Sequence, residues 1–479
     1  MSRLVLALLA VLAVAGGATA SGADFTASAA SPTTFTAAAD FNTVAVSLAD
    51  PGTNLHGPVT LDATASSNRG VASVLIQAAP AGTTSWTDVC TDATAPYSCA
   101  WDTAAIGDGS YDLRAVATDV AGYTRTASRS ARVVDNLAPS LSLANPGAFL
   151  SATKSLTATA SDAGSGLQAV AIQHRAAGTT SWIELCAGAT CNLVTTSLPD
   201  GDRDLRAVAT DRAGHVTQTT PITVRIDNAA PTATPSVPPT GRGTVTLTAT
   251  AGDSGSGVAY VAFEGKYAGV WYEFCRDTSA PYTCSGDSTA IADGTYSVRA
   301  VTVDNAGVKT TSAEFPITID NTAPTAADVQ ATNGGATPGR LEPGDAVTLT
   351  WSEPIAPASV LAGWNGSDQA ILIRVTDAAA NDQLDFYDST GTTRLALVAT
   401  AADLKLGADF VTATADFDAT MKLSGNAVMI TLGAQRSGTL TTAIAGTMTW
   451  RPSAGVTDLL GNPSTTSLRT ETGAGDVDF

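Results

Sequence analysis

Three copies of one set of landmarks recur along this chain, first 92 and then 93 residues apart. Arg114-Ala115-Val116 returns as Arg206-Ala207-Val208 and as Arg299-Ala300-Val301. Upstream of each lies an Asp-Gly pair (Asp108-Gly109, Asp200-Gly201, Asp293-Gly294), and downstream a D-x-A-G turn at Asp119, Asp211 and Asp304. Each copy closes on Asp-Asn (Asp135-Asn136, Asp227-Asn228, Asp320-Asn321), and a proline follows three residues after the Asn, at Pro139, Pro231 and Pro324. A chain that repeats on this scale is built from copies of one unit. At about 150 residues per domain, 479 residues make three or four domains.

Inside each copy the apolar period is two. Val59, Leu61 and Ala63 alternate with Thr60, Asp62 and Thr64; Tyr111, Leu113, Ala115 and Ala117 alternate with polar or outward residues. Strict alternation puts one strand face on a core and the other in water. About seven short runs in 90–100 residues, separated by Gly, Pro and Asp, are the pattern of a β-sandwich. The acidic residues point the same way. Of 44, 37 are Asp and only 7 are Glu, a turn former outnumbering a helix former. Lys154 falls where the first copy has Val59, so that strand end is expected to be frayed or at an edge.

The T-L-x-A-T-A strand (S-L-x-A-T-A in the middle copy), the G-x-Y-x-L/V-R-A-V strand, the D-x-A-G turn and the closing V/I-D-N-x-A-P resemble bacterial immunoglobulin-like repeats of secreted and surface proteins. The expected fold is all-β: tandem Ig-like β-sandwiches, three similar repeats plus a distinct larger C-terminal β-sandwich. The boundaries are a signal peptide at 1–20, a Ser/Thr/Ala-rich segment at 21–42, repeats at 43–136, 137–228 and 229–322, and the C-terminal sandwich at 323–479. In that last part Asp458-Leu459-Leu460-Gly461-Asn462 resembles the close of another Ig-like class, found in S-layer and adhesive surface proteins. Arg203 stands where the outer repeats have Tyr111 and Tyr296, so a tyrosine corner is not expected there.

Cysteines occur two per repeat and nowhere else: Cys90 and Cys99, Cys186 and Cys191, Cys275 and Cys284. Pairing within a repeat requires no contact between domains. C-x8-C and C-x4-C are not zinc spacings, and no His follows at finger distance. Three disulfides closing hairpins are expected, and with them an oxidising compartment.

The start of the chain agrees. Met1-Ser2-Arg3, the apolar run Leu4 to Ala15 and Ala18-Thr19-Ala20 have the layout of a secretory signal peptide. A net charge of −19 repels phosphate backbones and anionic lipid, so nucleic acid is excluded as a partner. No later run is long enough to span a membrane. Gly473 to Phe479 carry no hydrophobic tail or sortase-type motif, so any surface attachment is expected to be non-covalent or to use some other route. The expected location is secreted, at the cell surface, with a surface or matrix component, protein or polysaccharide, as partner.

No catalytic constellation is visible. His56, His174 and His215 are not in matching positions, and Asp382, Asp385 and Asp388 are scattered over a strand and turn. No catalytic or cofactor-binding residue is assigned. Calcium is the one cofactor the sequence raises. Carboxylates at a domain boundary suit its oxygen-rich coordination, and the boundary motif is similar to the D-N-x-P junction of cadherins. The candidates are Asp119, Asp135, Asp211, Asp227, Asp304 and Asp320, weighed against Asx-turn chemistry. Trp86, Trp182 and Trp271, each four residues before a Cys, read as core or hairpin packing. Arg114, Arg206 and Arg299 read as outward-facing, each near an Asp. Trp364, in Gly363-Trp364-Asn365-Gly366, is the candidate ligand contact. The expected molecule is a non-enzymatic adhesive or structural spacer presenting its C-terminal domain, each repeat spanning ~35 Å along its strands. The alternative is a carbohydrate-binding accessory of a secreted hydrolase system.

Overall fold

The computed structural model describes residues 43–444 and 446–473. The expected signal peptide and the segment to residue 42 lie outside the described residues. Two compact bodies form: one from the stretch ending at Ser142 with 159–170 and 208–218, the other from 143–158, 171–207 and the stretch from Thr219 onward. Among the described residues no helix is long and apolar enough to cross a membrane.

The first repeat is a two-sheet sandwich. One sheet has the order β1 (Ala45–Leu48), β3 (Pro58–Ser66), β6 (Tyr97–Asp102); the other has β2 (Asn54–Leu55), β8 (Thr124–Val134), β7 (Gly109–Asp119), β4 (Val71–Pro80), β5 (Thr87–Asp92). The period of two sets what is inside. Leu61 and Ala63 of β3 and Leu113, Ala115 and Ala117 of β7 are buried, joined by Leu48, Val74, Ile76, Cys99 and Trp101. The same alternation recurs in Thr153–Ser161 and Thr244–Gly252, with Leu156, Ala158, Leu247 and Ala249 in the inward places. Because β7 keeps its period to its last residue, Asp119 falls on the inward register. So do Asp211 at the end of Gly201–Asp211 and Asp304 at the end of Gly294–Asp304, and all three aspartates are buried.

Lys154 is not frayed: it is paired opposite Leu193 and partly buried. Its other side is open, as expected of an edge, because the neighbouring strand Ser140–Leu143 lies beside the far end, with Ser140 hydrogen-bonded to Ser161. A lysine tolerates that place because its methylene stem can lie along apolar surface while the amine reaches water. Arg203 departs from expectation. Tyr111 and Tyr296 donate their hydroxyls to the carbonyls of Gly107 and Ala292, four residues upstream, at 2.8 and 2.7 Å. The Arg203 guanidinium donates to the equivalent carbonyl of Pro199 at 3.4 Å, so a longer side chain reaches the same acceptor.

The disulfides pair within repeats: Cys90 with Cys99, Cys186 with Cys191, Cys275 with Cys284. They do not close hairpins of one sheet, however. Cys90 is on β5 and Cys99 on β6, the edge strands of opposite sheets; Cys275 on Val270–Asp277 and Cys284 on Tyr282–Asp287 repeat that placement. Each bridge therefore staples one sheet to the other where the chain crosses between them.

Trp86, Trp182 and Trp271 are not core residues. Each is half-buried beneath an arginine, with the guanidinium of Arg114, Arg206 or Arg299 at 4.1 Å from the ring centroid. The arginine Nε atoms donate to Gln77, Gln173 and Glu264 at 2.7–2.8 Å, rather than to an aspartate. The recurring Trp/Arg pair is thus a cation–π stack on the outer face of the sheet.

The C-terminal part follows another plan. One nine-stranded sheet runs Ala326–Thr332, Ala346–Trp351, Ala427–Leu440, Val411–Ser424, Gln369–Thr376, Gln383–Asp388, Leu404–Lys405, Thr449–Trp450, Arg469–Thr470. It bends around a single core in which Trp351 and Trp450 meet edge to face at 4.7 Å beside Phe386 and Phe417. The bend brings its ends together, for Gln330 of the first strand donates to the carbonyl of Thr472 just after the last.

The third repeat buries a shorter list of large side chains than the C-terminal part, so it leans more on its disulfide. Replacing Cys275 and Cys284 together by Ser should cost about 2–3 kcal/mol by the loop-closure relation. Thermal unfolding of the oxidised variant should show an early transition that oxidised wild-type protein lacks.

Candidate functional site

The Asp-Asn that closes each repeat divides its work. The Asn locks its own repeat: Asn136 donates to Asp108 through both N–H and Nδ2, and its Oδ1 accepts from Gly57 N–H and the Thr103 hydroxyl. Asn228 holds Asp200 in the same way, and Asn321 donates its N–H to Asp293 and its Nδ2 to the Ser288 carbonyl. The recurring Asp-Gly pairs of the sequence are therefore the acceptors for this lock. The Asp faces the following repeat. Asp135 Oδ2 accepts the N–H of Ser165 at 2.7 Å, and Asp227 Oδ2 accepts that of Ser256 at 2.5 Å. The donors belong to D-x-G-S-G loops, Asp162 to Gly166 and Asp253 to Gly257. A Cβ on Gly164 or Gly255 would lie 2.3 Å from the carboxylate carbon of Asp135 or Asp227, so only glycine lets the loop approach.

This contact gathers carboxylates. Asp135, Asp162 and Asp211 converge, as do Asp227, Asp253 and Asp304, and Asp320, Glu353 and Asp458; in each set one oxygen per residue lies within 4.8 Å of the others. Five of the six aspartates expected for calcium are thus brought together, each closing Asp with a partner from the following domain. Asp119 belongs to none of the clusters. No D-N motif of an earlier repeat reaches it, Ser67 stands where later repeats have Asp162 and Asp253, and its Oδ1 accepts from the N–H groups of Ala121 and Tyr123. Asp162, Asp253 and Glu353 went unrecognised in the sequence. The D-x-G-S-G pair, 91 residues apart, was the available signal for the first two.

The clusters differ in the residue four places after Asp211, Asp304 and Asp458. All share the turn, with glycine in the left-handed region at Gly214, Gly307 and Gly461. In the first, His215 Nδ1 donates to Asp211 Oδ2 at 2.9 Å, and the His56 ring packs on it at 4.6 Å. Two histidines unrelated in sequence position are thereby neighbours. In the third, Asn462 Nδ2 donates to Asp458 Oδ2 at 2.7 Å. In the second the residue is Val308. Asp304 Oδ1 accepts the Val308 N–H at 2.8 Å, while Oδ2 is buried and has no hydrogen-bond partner, with Asp304 only 2% exposed.

The charge state follows the partners. Burial works upward on Asp135, but the Ser165 hydroxyl and N–H, the Leu137 N–H and the charge of His215 carry its carboxyl below the usual range. Burial, with the Asp227 carboxylate assisting, pushes Asp304 above it against the Val308 N–H. Glu353 is pushed up to about 7, by burial first and then by the charges of Asp320, Asp458 and Asp293.

The remaining candidates resolve as structure. Trp364 is 4% exposed, packs in the C-terminal core and donates Nε1 to the Ser367 carbonyl, so neither ring face is open to a ligand. Asp385 is ion-paired with Arg394 at 2.7 Å, and Asp388 holds a turn by accepting from Thr390 and Thr392. Asp382 is buried, accepts the N–H groups of Phe410 and Val411, and converges with Asp377 and Asp409. His174 lies buried in a strand, its pKa lowered by burial and then by Arg203.

Residues 43–115 and 223–300 match the model of the bacterial Ig domain. The chain matches none of the curated proteins. Among solved structures it is similar to a tetra-tandem repeat from the extending region of a large adhesion protein (18% identity, 82% of this chain and 99% of that one, TM-score 0.26). It is also similar to the fibronectin(III)-like modules of Clostridium thermocellum CbhA (16% identity, 38% and 94%, TM-score 0.28). A third likeness is to three N-terminal domains of the bacteriophage RB49 outer capsid protein Hoc (10% identity, 58% and 100%, TM-score 0.31).

Gly255→Ala should destabilise the third repeat by about 1–3 kcal/mol, since the new methyl must displace a buried carboxylate; thermal unfolding against an exposed Gly286→Ala control, where a methyl meets open space, measures it. Glu353 gives a pH test. Between about pH 4.5 and 7 the folded chain keeps a proton that the unfolded chain releases, so this group's contribution to stability falls as pH rises through that window. The melting-temperature gain of Glu353→Gln over wild type should therefore be larger at pH 7.5 than at pH 5. A gain independent of pH would contradict the raised pKa.

Proposed function

We propose that this chain, which carries bacterial Ig domains at residues 43–115 and 223–300, is a non-enzymatic extracellular spacer that presents its C-terminal domain to a surface or matrix component. The observation that carries this reading is the boundary contact. The closing aspartate of one repeat is half of a hydrogen-bonded lock whose other half is the first loop of the next. A sandwich with one half at each end is a unit made to be joined in series, and joining in series produces length. The three disulfides and the bacterial Ig domains fit an extracellular or surface setting.

A second reading, contact with polysaccharide, rests on a different place from Trp364. Tyr267, Tyr272 and Phe274 on the Val258–Tyr267/Val270–Asp277 hairpin are each more than half exposed. Flat exposed rings stack on sugar faces. Retention of the full chain on insoluble polysaccharide, lost in Tyr272→Ala with Phe274→Ser, supports it; equal retention of both proteins rejects it.

Deleting residues 137–228 tests the spacer. Asp135 should then meet the Ser256 loop, and the shorter chain should stay folded. Its soluble binding to a glycan and matrix-protein array should be unchanged, while beads bearing it should adhere less well through a polymer brush. Loss of soluble binding, or equal adhesion through the brush, would overturn the reading.

A further inference from the structure

We infer that Asp227, Asp253 and Asp304 form a calcium site, and that the corresponding cluster of the first boundary does without the ion because His215 occupies its place. This goes beyond a spacer role and does not depend on it.

The two clusters are the same construction. Each has a closing aspartate (Asp135, Asp227), the aspartate of a D-x-G-S-G loop (Asp162, Asp253) and the aspartate that ends an inward-facing strand register (Asp211, Asp304). The backbone contacts match. The loop serine N–H binds the closing aspartate, and the loop serine hydroxyl accepts the N–H of Ala213 or Ala306 at 3.0 and 3.1 Å. Several substitutions separate them. Ala163 becomes Ser254, and Arg212, which donates to the Ser165 carbonyl at 3.3 Å, becomes Asn305, which donates to the equivalent Ser256 carbonyl at 3.0 Å, so that acceptor is met in both. His215 becomes Val308, and the residue at the place of His56 is Ser151, whose hydroxyl donates to the Ala306 carbonyl at 2.6 Å. In the first cluster a nitrogen therefore sits 2.9 Å from Asp211 Oδ2. In the second, Asp304 Oδ2 is buried with no donor, and valine can supply none.

A buried carboxylate oxygen without a donor, beside two more carboxylates, is costly. One way out is protonation of Asp304; the other is a cation. Protonation removes one charge but still leaves two carboxylates side by side. A divalent ion neutralises the set, and its donors here are all oxygen, which favours a hard cation over zinc or copper. Ca²⁺ takes 6–8 oxygens in flexible geometry and so fits three carboxylates held on separate elements, whereas Mg²⁺ demands a near-ideal octahedron, dehydrates reluctantly and is usually held by one or two carboxylates.

The test counts bound ions on the full oxidised chain at pH 7.5, stripped with chelator and titrated with CaCl2 by calorimetry, with thermal unfolding in parallel. Wild type should bind Ca²⁺ and melt higher in millimolar Ca²⁺ than in chelator. Asp304→Asn, close in shape, should bind one Ca²⁺ fewer per chain, and His215→Val should bind one more. Val308→His places the imidazole of the first cluster into the second; it should also lose one Ca²⁺ and keep the fold should Asp304→Asn fail to. Wild type that binds no Ca²⁺ overturns the inference. So does a Val308→His protein with the wild-type count, or an Asp304→Asn protein that melts higher than wild type while binding as many ions, since protonation would then explain the orphaned oxygen.

Discussion

A carboxylate buried under a glycine loop is the constraint on which the repeats depend. Asp135 and Asp227 are fully buried, and each is held by a backbone N–H of a loop that comes within van der Waals reach only because residues 164 and 255 lack a side chain. A hydrogen bond to a charged acceptor is stronger than one between neutral groups, and leaving that acceptor unmet would cost more than the bond gains. The closing aspartate thus cannot be buried at all unless a following loop satisfies it. The adjacent asparagine makes the complementary contact backwards to Asp108 or Asp200, so two neighbouring residues fix the end of one unit and the start of the next.

Much of this was legible in the sequence because the landmarks recur. The period of two in β3 and β7 gave the inward and outward faces, and the inward place of Asp119, Asp211 and Asp304 follows from carrying that period to the strand end. The closing Asp-Asn was legible as a boundary. What escaped was contact between residues far apart in sequence. His56 and His215 share no motif and meet only when one domain's loop reaches the next. Asp162 and Asp253 looked like punctuation because D-x-G-S-G is turn chemistry in isolation; their second role needs the neighbouring aspartate. Trp364 misled for the opposite reason. Gly-Trp-Asn-Gly reads as an exposed loop, but the large single core of the C-terminal part draws the ring inward, and its Nε1 finds a local carbonyl.

The disulfides and the tryptophans show the limit of spacing as a guide. Nine residues around Ala-Pro read as a hairpin, and the cysteines do lie on consecutive strands. Those strands belong to different sheets, which sequence distance cannot reveal. An alanine-rich sandwich with a thin core gains from a covalent tie between its layers more than from one along an existing ladder. The recurrent tryptophan beside a cysteine read as core or hairpin packing, whereas its ring lies beneath the arginine two strands away. A guanidinium that must lie on the outer sheet face, next to Gln77, Gln173 or Glu264, offers a flat cation to an indole that needs partial cover.

The three boundaries answer one electrostatic problem in different ways, and the differences trace to single side chains. Bringing a closing aspartate, a loop aspartate and a strand-end aspartate together creates repulsion that the fold must offset locally. His215 offers a donor that is also a potential cation. Asn462 offers a neutral donor to Asp458, and Glu353 beside them is pushed up to about 7, by burial first and then by the neighbouring carboxylates. Val308 offers nothing, and Asp304 keeps a bare oxygen. The backbone lock is common to the first two boundaries, so it cannot be what makes them unlike. What does differ lies in the turn after the strand-end aspartate, where Arg212 and His215 of the one stand against Asn305 and Val308 of the other.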